Sequence, residues 1–348
     1  LRRTAALFLV ALLACGTRRD ADEDPIGRTR GAIQGGKADT SSTFAVAVLD
    51  DQGGTCSGTL IAPNLVLTAR HCVATDNGGD AVDCSHDAFN APGAATSLRV
   101  SDANEAPSFV GAEYGVKKVV VPTETLFCGH DIALLVLDKN MKSATPAAPA
   151  IDTNHIPATV DAIGYGITSP TGQDEGTRRR RDAIPIECVP GTTAGCTAAD
   201  YAMVTNEIAA GDGLCDGDSG SGAYDPSSIT AGTPKVVGVL SRGADSGSTC
   251  AEAVYERVDA FGPLLVATAK DAATAGGYTL PEWAGGPAQQ KDAGASEQQQ
   301  PGDPSASEPP AAAPPSSGGS SGGCRASPTR EIPVFAMLLV ALVLLRRK

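Results

Sequence analysis

Cys215-Asp216-Gly217-Asp218-Ser219-Gly220 is the stretch on which the reading of this chain turns. A glycine ahead of the acidic residue permits a turn that aims two backbone N–H groups, those of Gly217 and Ser219, at one point. There they would stabilise a developing oxyanion. Ser219 is a neutral hydroxyl and attacks a carbonyl only if a base takes its proton, and imidazole titrates near neutral pH. Upstream, Leu67-Thr68-Ala69-Arg70-His71-Cys72 supplies His71 as that base. Asp131, opening Asp131-Ile132-Ala133-Leu134-Leu135, supplies the carboxylate that would hold the imidazole tautomer and stabilise its cation. His130 beside it points to the opposite face of a strand. His86 and His155 stand in no such setting.

The chain has 348 residues, a formal net charge of −13 and only 4% aromatics. That acidity excludes a nucleic-acid partner, which needs a basic face, and reads as solubility. Ten cysteines are too many for a reducing cytosol. Cys15 and Cys324 lie apart, and the middle eight form an even set that composition alone does not pair.

Between Ile33 and Tyr278, short apolar runs are broken by turn residues: 44–49, 65–67, 116–121, 132–137, 159–163 and 236–240. Their spacing predicts an all-β barrel or sandwich. One terminal helix is expected, with Pro263 in its first turn and Phe261, Leu264, Leu265 and Thr268 on one face.

Cys56-Ser57-Gly58-Thr59-Leu60-Ile61, the His71 stretch, Asp131-Ile132-Ala133-Leu134 and Gly217-Asp218-Ser219-Gly220, in that order, resemble the chymotrypsin/trypsin-like serine peptidases. The resemblance implies an all-β fold of two six-stranded antiparallel Greek-key barrels with a C-terminal helix over residues 33–278. It implies an endopeptidase with Ser219 as nucleophile, His71 as acid and base, Asp131 as orienter and an oxyanion hole from Gly217 and Ser219. Protein or peptide substrates, no metal and no cofactor follow, and a monomer is expected. Disulfides Cys56–Cys72 and Cys215–Cys250 match family pairs, leaving Cys188–Cys196 and Cys84–Cys128 for the remaining four. Arg70 replaces a usually small residue and is expected to point outward. A catalytically silent binding protein on this fold, or an esterase, stays open.

Ile33-Gln34-Gly35-Gly36 resembles the family's mature N-terminus, which implies a zymogen. An activating protease would cut before Ile33 and free an ammonium to sit beside Asp218, whose buried carboxylate needs a compensating charge. By the same resemblance Gly213 forms the base of the specificity pocket, with Ser241, Gly243 and Ala253 around it. A base without charge favours apolar side chains, though Asp212 is one place off and Asp216 sits at the rim. Ser241-Arg242-Gly243 puts a cation where the family carries an aromatic wall. Arg178-Arg179-Arg180-Arg181 reads as a solvated strand edge.

The ends read as addresses. Residues 1–15 have a basic start and an apolar run closed by Cys15, fitting either an ordinary export signal or a lipoprotein site. Residues 16–32 would be a propeptide, and residues 279–323, rich in Pro, Gly and Ser, a disordered stalk. Residues 324–348, with Gly323-Cys324, an apolar stretch and a basic end, resemble a MYXO-CTERM-type sorting signal. That resemblance implies a sorting peptidase and anchoring at a bacterial cell surface, at the outer membrane, through the membrane segment or a lipid; a plain tail-anchor helix, or a secreted protein, stays open.

Overall fold

The computed structural model describes residues 33–79, 81–152 and 156–288. The expected export signal, propeptide and sorting segment lie outside these residues, as do His155 and most of the expected stalk.

A two-residue strand β1 (Lys37–Ala38) leads into the first barrel. That barrel is built from β2 (Ala45–Asp50), β3 (Thr55–Ala62), β4 (Leu65–Thr68), β5 (Leu98–Ser101), β6 (Tyr114–Val120) and β7 (Ala133–Leu137), closed in the order β2-β3-β4-β7-β6-β5. A short β8 (Ala148–Pro149) crosses to the second half. There β9 (Thr159–Gly164), β10 (Arg179–Cys188), β11 (Glu207–Ala210), β12 (Gly222–Tyr224), β13 (Lys235–Ser246) and β14 (Thr249–Arg257) run β10-β11-β14-β13-β12-β9. The pairing of β9 back onto β10 closes this ring too. The two six-stranded barrels and terminal helix are those the resemblance implied.

The apolar runs are continuous because strands at the barrel junction are covered on both faces. Val66, Leu135 and Leu137 point into the first barrel beside Val46, Val48 and Val100. Their neighbours Leu65, Leu67, Leu134 and Val136 point the other way. These pack with Phe44, Tyr224 and Val239 in the layer between the barrels. Period-two alternation thus feeds two cores from one strand. The second barrel holds Val160, Ile184, Ile208, Leu240 and Tyr255, with Ile33 packed among them.

After the short α1 (Pro226–Thr230), the terminal helix α2 spans Gly262–Gly276, with Pro263 in its first turn and Gly277 at φ 64° closing it. Leu265, Thr268, Ala269 and Ala272 face inward. The packed body runs past the expected boundary at 278. Leu280, Trp283 and Ala284 join the inter-barrel core, and Trp283 Nε1 donates to the Ile61 carbonyl at 3.1 Å.

All four disulfides form: Cys56–Cys72, Cys84–Cys128, Cys188–Cys196 and Cys215–Cys250. The arginine run is not a solvated edge. β10 pairs with β1 as well as with β9 and β11, and its arginines serve as fasteners. Arg178 is only 1% exposed and donates to the carbonyls of Asp39, Ala45 and Asp102 and to Asn104. Arg179 bonds Asp174, Arg180 bonds Asp161 and Asp182, and Arg181 bonds the Gln34 carbonyl. Acceptors supplied by the fold, invisible along the chain, make that burial affordable.

Candidate active site

The site lies where the barrels meet. His71 sits in a single turn, Arg70–Cys72, just after β4; Asp131 lies just before β7; Ser219 lies on the loop between β11 and β12. The antiparallel pair β4–β7, with Thr68 opposite Ala133, brings the first two together. His71 Nδ1 stands 2.7 Å from Asp131 Oδ2, and the His71 backbone N–H donates to Asp131 Oδ1 at 2.8 Å. The Ser241 hydroxyl donates to Asp131 Oδ2 at 2.7 Å. Asp131 is fully buried, whereas His71 keeps 20% of its side chain exposed. Burial alone would raise the Asp131 pKa, but the charge of His71 and these hydrogen bonds outweigh it and hold the carboxyl below its usual range. Asp131 therefore stays ionised, able to orient an imidazole and stabilise its cation.

Ser219 is delivered from the other barrel. Its carbonyl accepts from the Ser57 N–H on β3 at 2.7 Å, and Gly220 N–H donates to the Leu240 carbonyl at 2.9 Å. Ser219 and His71 line one cleft of about 440 Å³, with Val48, Asp50, Ile167, Glu175 and Asp216. No hydrogen bond joins their side chains in this structure, and in free enzymes such contacts often tighten only on substrate. A second cleft, of about 510 Å³, opens on the far side of His71 beside Phe127 and Ser241. The Phe127 ring stacks on the imidazole at 6.4 Å.

Gly217 adopts φ +97°, and a Cβ there would come within 2.7 Å of Gly166 Cα, so only glycine fits. Its peptide planes are held on both sides. Ile167 N–H donates to the Asp216 carbonyl at 2.8 Å, and the Ser57 hydroxyl donates to the Gly217 carbonyl at 2.7 Å. Ser57 in turn accepts from Tyr165 N–H at 3.0 Å. Neither Gly217 N–H nor Ser219 N–H is given to another acceptor among the described residues.

Ile33 is buried in the second barrel, and Asp218 is completely buried. Among the described residues Asp218 takes only long bonds, 3.3 Å each, from the N–H groups of Cys215 and Gly166. Burial pushes its pKa well above the ordinary 3.8, with these donors offsetting little of the rise.

The other expectations meet a mixed outcome. Asp212 is exposed and accepts from the Glu252 N–H, so no slip brings it inward. Gly213, at φ +111°, leaves room that the Arg181 guanidinium occupies, so the expected uncharged pocket base has a cation against it. Ala253 is buried as a wall residue would be, and Gly243 lies opposite it on β13. Ser241 donates its hydroxyl to Asp131 and also lines the second cleft. Arg70 does not point outward. It is 3% exposed, donates to the carbonyls of Pro122 and Glu124, and lies 4.8 Å over the Phe89 ring. Arg242 is not part of an exposed wall either: it is 1% exposed and paired with Glu207.

Ser57, Phe127, Glu207 and Glu256 were not legible as site residues from the chain. Only the departure at Arg242 signalled that something unusual lies behind the site. Cys56, Cys72 and His71 cluster at metal-like spacing, but both sulfurs are in a disulfide and offer no thiolate.

The comparisons agree with this architecture. The trypsin family model matches residues 33–265. A trypsin of Saccharopolyspora erythraea is 28% identical over 230 residues, covering 64% of this chain and 91% of that protein. Chymotrypsin-like elastase family member 1 of Felis catus is 31% identical over 185 residues, 48% of this chain and 60% of that one. A match of that extent, on a chain folded into two closed barrels with a terminal helix, shows that the protein belongs to the trypsin family of serine peptidases.

Proposed function

We propose that the protein is an exported serine endopeptidase, made as a zymogen and held at the cell surface. Ser219 attacks the scissile carbonyl while His71 takes its proton, then returns it to the leaving amine. Asp131 orients the imidazole and stabilises its cation. The N–H groups of Gly217 and Ser219 receive the oxyanion, where loss of one donor typically costs about 10²–10³ in rate. The observation that carries this reading is the fully buried Asp131 carboxylate, 2.7 Å from His71 Nδ1, with Ser219 on the same cleft.

Activation follows from Asp218. A buried carboxylate without a counter-charge is costly. A cut before Ile33 would free an ammonium in the same core region and supply that charge. With Arg181 against Gly213 and Asp212 turned out, the pocket disfavours a positively charged side chain before the scissile bond. Anchoring rests on the terminal segment from Cys324 onward.

A fluorophosphonate probe tests the central claim on chain cut before Ile33. Labelling that disappears in Ser219→Ala, with cleavage of a peptide library, supports the peptidase. An unlabelled, folded, cut protein would show a silent binding protein. Turnover of simple esters with none of peptides would show an esterase.

A further inference from the structure

Behind the Asp131 carboxylate lies a buried polar cluster that the proposed chemistry does not use. Arg242, Glu207 and Glu256 are at most 1% exposed. Two features of the strands put them there. The register between β13 and β14 slips between Leu240 and Arg242, and such a bulge turns consecutive side chains, here Ser241 and Arg242, toward the same side. Glu207 on β11 pairs directly opposite Glu256 on β14, so their carboxyls share one region.

The contacts are specific. Arg242 grips Glu207 with two nitrogens, at 2.6 and 3.0 Å. Arg242 Nη1 also donates to Ser241 Oγ at 3.3 Å, and Nη2 to the Ala202 carbonyl at 2.9 Å. Glu207 further accepts the N–H groups of Gly129 and Val204 at 3.0 and 2.8 Å. Glu256 Oε1 accepts the backbone N–H of Asp131 itself at 3.0 Å, while its Oε2 finds no partner.

We propose that Arg242 is a positioning residue for the catalytic dyad, acting through Ser241, with Glu207 holding its guanidinium and Glu256 holding the Asp131 backbone. This rests on the peptidase reading above. A guanidinium only donates. Ser241 Oγ must therefore accept from Arg242, and its single proton is directed elsewhere, to Asp131 Oδ2 at 2.7 Å. The hydroxyl rotor is thereby locked as a donor to the same oxygen that faces His71 Nδ1.

Charge balance agrees with that arrangement. Burial, then the neighbouring Glu207, pushes the Glu256 pKa well above its ordinary value, and the unpartnered Oε2 has room for the proton. Burial works against the Arg242 charge, but Glu207 more than restores it. Asp131 is held ionised and Arg242 keeps its charge in the grip of Glu207. The other charged group with a direct bearing on Asp131 is Arg70.

The test is a double-mutant cycle read by the second-order rate of fluorophosphonate labelling. The low-field proton resonance of the His71–Asp131 hydrogen bond is followed alongside. Ser241→Ala and Arg242→Met are each expected to slow labelling about tenfold and to shift that resonance in the same direction. The double variant is expected to add less than about twofold to either, because coupled neighbours are non-additive. Arg242→Lys keeps the charge but not the fork, and is expected to recover only part of the rate. If Arg242→Met does not fold, Arg242→Lys and Ser241→Ala complete the same cycle. Full multiplication of the two costs, or an unmoved His71 resonance in the Arg242 variants, overturns the proposal and leaves Arg242 a brace. All variants are compared as chain cut before Ile33, and absence of labelling in the unmutated cut protein would instead reject the peptidase reading.

Discussion

At the scale of single residues, the site depends on where each proton and charge is held. Asp131 is kept ionised by His71 and Ser241 despite complete burial. Asp131→Asn should leave the fold in place, because the amide is isosteric. It places a donor or a weaker acceptor toward His71 Nδ1 and disfavours the tautomer that can receive the Ser219 proton. Turnover on a peptide substrate is expected to fall by about 10⁴. Sign matters for stability as well. A carboxyl held below its ordinary 3.8 stabilises the fold above that pH and loses this contribution as pH falls through its native value. Arg70 teaches a related lesson. Its burial is tolerable because two carbonyls and the Phe89 face receive the guanidinium.

At the scale of elements, two devices stand out. The loop carrying Ser219 takes its shape from Gly217, whose positive φ and contact with Gly166 exclude a side chain. Gly217→Ala is expected to displace the N–H proposed as an oxyanion donor. Peptidase turnover should drop by about 10²–10³ with little change in far-UV circular dichroism. The second device is Arg178, which ties β10 to the segments at Asp39, Ala45 and Asp102. Arg178→Met fills part of the volume but strands the carbonyls of Asp39 and Asp102, each costing about 1–3 kcal/mol, while Ala45 keeps its bond from Tyr165. A loss of about 3 kcal/mol or more is expected in denaturant unfolding, with the midpoint lowered and the slope unchanged.

At the scale of the whole molecule, the uncut chain carries a stored electrostatic cost at Asp218. Its folded pKa lies well above the ordinary 3.8, so its ionisation opposes folding. Stability from this group is fully present below about pH 4 and declines as pH rises toward the native value. Asp218→Asn is therefore expected to raise the melting temperature of the uncut chain at neutral pH, by roughly 2–4 °C for each kcal/mol relieved. The advantage should shrink as pH approaches 4. On the proposed activation, a cut before Ile33 brings an ammonium to the same charge, so the cut wild-type protein should gain stability that the variant does not. A melting curve for Asp218→Asn that tracks the wild type at every pH would reject this account.

Much was written along the chain. Period-two apolar runs set the strands, Pro263 opened the helix, and three motifs in order named His71, Asp131 and Ser219. Those features are local: a strand's alternation or a turn's glycine depends on neighbours a few residues away. Long-range packing decided the rest. Arg70, Arg178 and Arg242 look like surface residues in the chain, yet each is buried because distant backbone oxygens or a carboxylate converge on it. Ser57 reaches Gly217 across 160 positions, and Arg242 reaches Glu207 across 35. Sequence determined which groups could do chemistry; only the folded barrels decided which charges are compensated, because compensation depends on distance in space.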